Sequence, residues 1–183
     1  MTALLLALAI SAAPAPTKAP AKDAKHFPVL ANTKSVLALP AFHGKGTHVV
    51  HFWATWCGPC REELPGFLKK AQELGKKGVD FTFISADEPA DVEELGTEMM
   101  TQMGGFFPQA KHYVLSPDID PHTMTKKVAP EWTQPTIPAT FIFKDGKRVA
   151  SFHGAEEAHA LDSLLPPPPA QKPTAANANA PKK

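Results

Sequence analysis

The two cysteines of the chain, Cys57 and Cys60, stand in the run Trp56-Cys57-Gly58-Pro59-Cys60. Thiols at that separation can close a disulfide or share a soft metal ion. His48–Ala54 is a dense apolar run, the pattern of a strand buried on both faces. Helical periodicity begins at Cys60, so the pair lies where a strand hands over to a helix. A helix N-terminus carries unpaired N–H groups and a partial positive charge. A thiol placed there ionises below the free value of about 8.5. Cys57, exposed by the turn, is therefore expected to be the attacking thiolate. Cys60, one turn inside and more shielded, is expected to resolve the mixed disulfide. Gly58 is expected to permit the tight turn, and Pro59, which has no backbone donor, suits the first helical positions.

The rival chemistry is a metal half-site, a Cu(I)-binding metallochaperone in function. Eight histidines are present, and a Cys pair with a His could hold copper(I) or zinc. A closed zinc site requires about four ligands, and no second ligand pair is spaced nearby. Met99, Met100 and Met103 could offer thioethers to copper, but methionines at that spacing ordinarily fill a core. No metal ligand is assigned.

The elements that must position the pair follow from periodicity. Lys34–Leu39 (KSVLAL) reads as a short peripheral strand ending at Pro40. After His48–Ala54, a helix runs from Cys60 to about Lys76 with Leu64, Phe67, Leu68, Ala71 and Leu74 on one stripe. Phe81–Ser85 is a buried strand, and Asp91–Met103 a helix with Val92, Leu95, Met99 and Met103 on its stripe. Lys111–Leu115 reads as a strand and Pro121–Ala129 as a short helix. Ala139–Phe143 and Arg148–Phe152 flank Asp145-Gly146, a strong hairpin signal. Ala155–Leu165 closes as a helix. The expected class is α/β, a central mixed sheet with helices on both faces and a right-handed first crossover.

Charge divides the chain. Of 183 residues with a formal charge of +1, residues 27–165 carry 13 Lys and Arg against 17 Asp and Glu, so the body is acidic and both ends are basic. An acidic body argues against a nucleic-acid partner. Thr2–Ala13 is an apolar run too short to span a bilayer and of signal-peptide length. Residues 1–13 are accordingly read as a signal peptide, 14–26 as a flexible linker, 27–165 as the folded domain and 166–183 as a disordered Pro/Ala/Lys-rich tail. The location that follows is the periplasm or another extracytoplasmic space, with no stable membrane insertion.

The segment Phe52-Trp53-Ala54-Thr55-Trp56-Cys57-Gly58-Pro59-Cys60-Arg61-Glu62-Glu63-Leu64-Pro65 resembles the active-site segment of the thioredoxin superfamily, especially its exported TlpA-like branch. Pro65 matches the proline inside the thioredoxin active-site helix. Thr136-Ile137-Pro138-Ala139-Thr140-Phe141, followed by Asp145-Gly146, is similar to the family's cis-proline strand and hairpin. The resemblance covers about Val49–Leu165. It implies a thioredoxin-like fold with an extra helix and strand between the active-site βαβ unit and the hairpin. It implies a thiol–disulfide oxidoreductase with no cofactor beyond a redox-active Cys57–Cys60 disulfide. Its substrates would be protein thiols and disulfides, such as the dithiols of apocytochrome c, and a membrane-bound electron donor would recharge it. A monomer is expected. The resemblance makes Pro138 the cis-proline facing the cysteines, sets Trp56 beside the disulfide and packs Trp53 beneath it.

His51 departs from the pattern, because thioredoxin has a buried aspartate at the matching position. On a strand His51 shares a face with Val49 and Trp53. A buried His is expected to be neutral and could accept the Cys60 proton; the alternative is a hydrogen-bonded core histidine. Asp87 and Glu88, past a strand end, could serve the same proton-accepting purpose, but ends of this kind are usually solvated, which is the expectation. Arg61, Glu62 and Glu63 in the first turn of the helix are expected to be solvated too.

Overall fold

The computed structural model describes residues 26–154 and Leu161. The expected signal peptide, linker and tail, and the helix expected over Ala155–Leu165 apart from Leu161, lie outside the described residues. Six strands form one sheet in the order β1-β4-β3-β2-β5-β6. They are β1 (Val29–Leu30), β2 (Thr47–Trp53), β3 (Val79–Ser85), β4 (Ala110–Leu115), β5 (Ala139–Lys144) and β6 (Lys147–His153). The pairs β1–β4, β4–β3 and β3–β2 are parallel, while β5 runs antiparallel to β2 and β6 antiparallel to β5. The sheet is therefore mixed, and the hairpin supplies its antiparallel part.

Helix α2 (Gly58–Gly75) connects β2 to β3. Its buried side is Cys60, Leu64, Phe67, Leu68, Ala71 and Leu74, the stripe expected from the three- and four-residue spacing. It packs on Val49, Trp53, Phe81, Phe83 and Ile142. Alternate residues of β2 point to the other face, where Val50 and Phe52 join Ile84, Phe141, Met124 and Val128. Helix α5 (Pro121–Val128), capped by Asp120 accepting the Thr123 amide, covers that face. Strand β2 is thus buried on both sides, which is why its sequence is an almost unbroken apolar run. Leu161 is buried with the α2-side core.

Two expectations fail. Lys34–Leu39 is not a strand: Thr33–Leu37 forms helix α1, and the short edge strand precedes it at Val29–Leu30. The cause is local. Asn32 accepts the Ser35 amide and the Ser35 hydroxyl accepts the Asn32 amide, a reciprocal capping box that starts a helix. The stripe drawn over Asp91–Met103 also shifts. Helix α3 (Pro89–Asp91) and helix α4 (Thr97–Gln102) are joined by a π-helical turn at Val92–Gly96. The wider turn rotates the following face, so Val92, Gly96 and Met100 are buried while Leu95 is 52% exposed.

The hairpin turn is where backbone conformation decides residue type. Asp145 and Gly146 have φ of 51° and 75°, the left-handed pair that a two-residue turn of this kind requires. A Cβ on Gly146 would stand 2.9 Å from His43 Cα and 3.1 Å from the Phe42 carbonyl oxygen. Gly146→Ala is expected to cost about 2 kcal/mol from the backbone strain and the clash. Urea unfolding of the two proteins measures it, and an unchanged midpoint would contradict the turn geometry.

Candidate active site

The site is built at the end of β2. The strand stops at Trp53, the Cys57 amide turns back to the Ala54 carbonyl at 3.2 Å, and α2 begins at Gly58. Cys57 is the N-cap of α2, and its Sγ accepts the Cys60 amide hydrogen at 3.3 Å. A helix cap is ordinarily a hydroxyl or carboxylate oxygen; here a sulfur takes that place, where an anionic sulfur is favoured by the same N–H groups. Cys57 and Cys60 are joined as a disulfide. Cys57 is 6% exposed and Cys60 is sealed at 0%, so an incoming group meets Cys57 first.

The residues around the pair divide by exposure. Trp56 is 68% exposed on the rim, whereas Trp53 is completely buried beneath it. Pro59 occupies the first turn of α2. Gly58 needs a correction: its φ is not positive and a Cβ there would meet open space, so the turn does not demand glycine. Its missing side chain instead leaves the helix N-terminus bare beside the sulfur. The Ile137–Pro138 bond is cis. The Ile137 carbonyl oxygen lies 3.8 Å from Cys57 Sγ, and the Pro138 carbonyl accepts the Gly154 amide at 2.9 Å. The segment leading into β5 thus lies against Cys57. An apolar hollow of about 160 Å³ adjoins it, lined by Trp56, Met124, Trp132, Pro135 and Ile137.

Under the pair the polar groups are few. His51 is 0% exposed, on β2 between Phe83 of β3 and Thr140 of β5. Its Nδ1 is 2.9 Å from Thr140 Oγ1, and its ring lies over Phe67 with centroids 4.3 Å apart. Nε2 is 3.6 Å from Glu63 Oε1, beyond hydrogen-bond length. Burial pushes the imidazole pKa down to about 3, so His51 is neutral at physiological pH. Glu63 corrects the expectation for α2: Arg61 and Glu62 are exposed, but the Glu63 side chain is only 8% exposed and reaches His51. Asp87 corrects another, being 4% exposed and bonded to Thr55 and Ser85. Glu88 is exposed as expected. Sequence reasoning passed over Thr55 and Thr140, whose partners are 32 and 89 positions away. Among the described residues no group of three or more His, Cys, Asp or Glu could hold a metal ion, and Met100 is buried in the core.

A disulfide at a strand–helix junction, shouldered by a cis-proline loop, is the geometry that comparison with known proteins can test. Residues 12–163 match the Redoxin family model. The chain belongs to the Redoxin family. It is 29% identical over 145 residues to the thiol-disulfide oxidoreductase ResA of Bacillus cereus, covering 79% of this chain and 75% of that protein. Over 46 residues, 25% of this chain and 43% of the other, it is 39% identical to a thioredoxin of Coprinus comatus. Among solved structures, a thioredoxin-family thiol:disulfide interchange protein from Chlorobium tepidum has a TM-score of 0.52 at 20% identity, covering 65% of this chain and 77% of that one. The thioredoxin domain of a Bacteroides vulgatus thiol-disulfide oxidoreductase has a TM-score of 0.50 at 23% identity, covering 70% and 84%. The fold is thioredoxin-like, of the TlpA-like kind, with α3, α4 and β4 inserted between the active-site unit and the hairpin. This Redoxin-family member is a thiol–disulfide oxidoreductase.

The buried imidazoles give the fold a pH dependence of definite sign. His51 has a folded pKa of about 3 and His112, buried on β4, of about 4, both below the ordinary value of 6.5. The unfolded chain binds more protons between those values and 6.5, so stability rises with pH across that window. For His51 the loss on acidification toward pH 3 is on the order of 5 kcal/mol. Urea titrations of wild type and His51→Gln at pH 7 and pH 4 measure it. The wild type should lose more than the variant on acidification; equal losses would show that His51 titrates normally.

Proposed function

We propose that this protein is exported and exchanges disulfides with protein substrates through Cys57, in the periplasm or another extracytoplasmic space. The observation that carries the exchange chemistry is the Cys57 sulfur at the α2 N-terminus, the more accessible member of a pair whose other sulfur is sealed. Export rests on the apolar run Thr2–Ala13, followed by a Pro/Ala/Lys stretch of linker composition. In the reducing direction the Cys57 thiolate attacks a substrate disulfide. A Cys57–substrate disulfide forms and one substrate thiolate leaves and takes up a proton. Cys60, deprotonated, then attacks Cys57 Sγ, closing Cys57–Cys60 and releasing the second substrate thiolate. Two electrons pass to the substrate. The oxidising direction reverses each bond change.

His51 is the proposed acceptor of the Cys60 proton. With a pKa of about 3 it holds that proton only briefly. Trp56, Gly58, Pro59 and Pro138 frame the sulfur against which substrate lies. The dithiol of an apocytochrome c and reducible periplasmic disulfides are the proposed substrates. The dipeptide Gly58-Pro59 is that of thioredoxin, whose potential of about −270 mV is reducing. Such a pair in an oxidising compartment is recharged by a membrane-bound electron donor. The protein acts as a monomer, and its acidic body disfavours nucleic acid.

Insulin reduction with dithiothreitol tests the assignment. Cys57→Ser should abolish turnover, and Cys60→Ser should accumulate mixed disulfides visible on non-reducing gels. Turnover by Cys57→Ser at the wild-type rate would refute the reading. So would stoichiometric Cu(I) uptake by a reduced protein that lacks reductase activity. His51→Ala should slow resolution of the mixed disulfide and change its pH profile; an unaltered profile removes His51 from the proton path.

A further inference from the structure

Asp87 follows the end of β3, and its carboxylate is buried among hydroxyls and an amide rather than beside a cation. The Thr55 amide lies 3.1 Å from Oδ1 and 3.0 Å from Oδ2, a hydrogen shared between the two oxygens. The Thr55 hydroxyl donates to Oδ1 at 2.6 Å and the Ser85 hydroxyl to Oδ2 at 2.5 Å. Ser85 Oγ in turn accepts the Asp87 amide at 2.9 Å. One residue earlier, the Ala86 amide donates to the Trp53 carbonyl at 2.9 Å. A buried carboxylate is costly unless hydrogen bonds surround it. Two of the groups that surround this one belong to Thr55, the residue between β2 and the Trp56–Cys57 pair.

We propose that Asp87 is a positioning residue for the exchange reaction: by holding Thr55 it fixes the turn that keeps Cys57 Sγ at the N-terminus of α2. The proposal rests on Cys57 being the attacking sulfur. The turn from Trp53 to Cys57 has three backbone anchors. They are Trp53 O on the Ala86 amide, the Thr55 amide on Asp87, and the Cys57 amide on Ala54 O. The middle one is supplied by a side chain. When it is removed, the segment is free to drift, Cys57 Sγ loses its alignment with the Cys60 amide, and the thiolate loses part of its stabilisation. The charge of Asp87 acts in the opposite sense, because a buried anion near a sulfur disfavours its ionisation. Position and charge therefore predict opposite shifts.

Among the described residues, titratable groups beside the turn and its partner in sequence are Arg61 and Glu62 on α2 and Glu88 next to Asp87, all exposed, with neutral His51 and Glu63 on the α2 side of the sheet. They are the same in every variant compared, so differences among variants report on Asp87 and Thr55.

The test is the pH dependence of iodoacetamide alkylation of Cys57 in the reduced full-length protein, with Asp87→Ala, Asp87→Asn, Thr55→Val and Thr55→Ser. In Asp87→Asn the amide oxygen still accepts from Thr55. The expected result is a midpoint raised in Asp87→Ala, with alkylation about tenfold slower below it, and a midpoint unchanged or lowered in Asp87→Asn. Midpoints lowered together in both variants would assign Asp87 a charge effect alone and overturn the proposal. A destabilised Asp87→Ala with the wild-type midpoint would make it a fold contact and overturn it too. If Asp87→Ala does not fold, the Thr55 pair decides. Thr55→Val, which keeps the amide anchor and removes the hydroxyl bond to Oδ1, should raise the midpoint in part and Thr55→Ser restore it. Identical midpoints reject positioning through the hydroxyl bond, and a wild-type midpoint in Asp87→Gly would then reject the amide anchor as well. Each outcome is read on Cys57 directly, so it is separate from whether Cys57→Ser retains turnover.

Discussion

The contact between Cys57 Sγ and the Cys60 amide exists because a buried strand ends and a helix begins within a few residues of each other. Much of the molecule serves that junction. Strand β2 is fixed by hydrogen-bonded neighbours on both sides and by apolar layers on both faces. Helix α2 is fixed by the stripe it buries against the same sheet. The sulfur is then presented by two elements that can hardly move without opening the core, while the partner loop at Ile137–Pro138 approaches from a third. A reactive group on a mobile loop would have to be ordered at each encounter; here the ordering is completed on folding.

Two polar groups behind the junction, His51 and Asp87, are buried with partners from distant parts of the chain. His51 meets Thr140 across the β2–β5 pair and Glu63 from α2. Asp87 meets Thr55 across the β3–β2 boundary. In a medium from which water is excluded, such groups interact more strongly than at the surface, and an unpaired one is costly. The same exclusion keeps His51 neutral, so its contacts in the site are hydrogen bonds and ring packing rather than charge pairing.

These partnerships also mark where sequence reading stopped. The junction itself was legible because its signals are local: an apolar run, a Cys-Gly-Pro-Cys turn, a helical stripe. The Asp145-Gly146 turn was legible for the same reason, and the cis bond before Pro138 was indicated by family resemblance. Helix α1 was missed although its signal is also local, because the aliphatic run Val36–Leu39 outweighed the Asn32–Ser35 cap. The faces of the inserted helix were misdrawn because a π-helical turn changes the spacing on which a stripe is counted. Glu63 and Asp87 were read as solvated because nothing next to them in sequence buries them. Their burial comes from the β2–α2 packing and from the way the β3 end closes on the β2 turn, both tertiary facts.

Strand β2 alternates its side chains between two unlike environments, and this parity makes the site sensitive to reading length. A single residue inserted in β2 between Thr47 and His51 would carry His51 to the α5 side of the sheet and exchange it for an apolar neighbour. Thr140 and Glu63 would then face no imidazole, although every original residue would still be present. An insertion in the turn at Gly44–Gly46, upstream of the strand, leaves the parity intact.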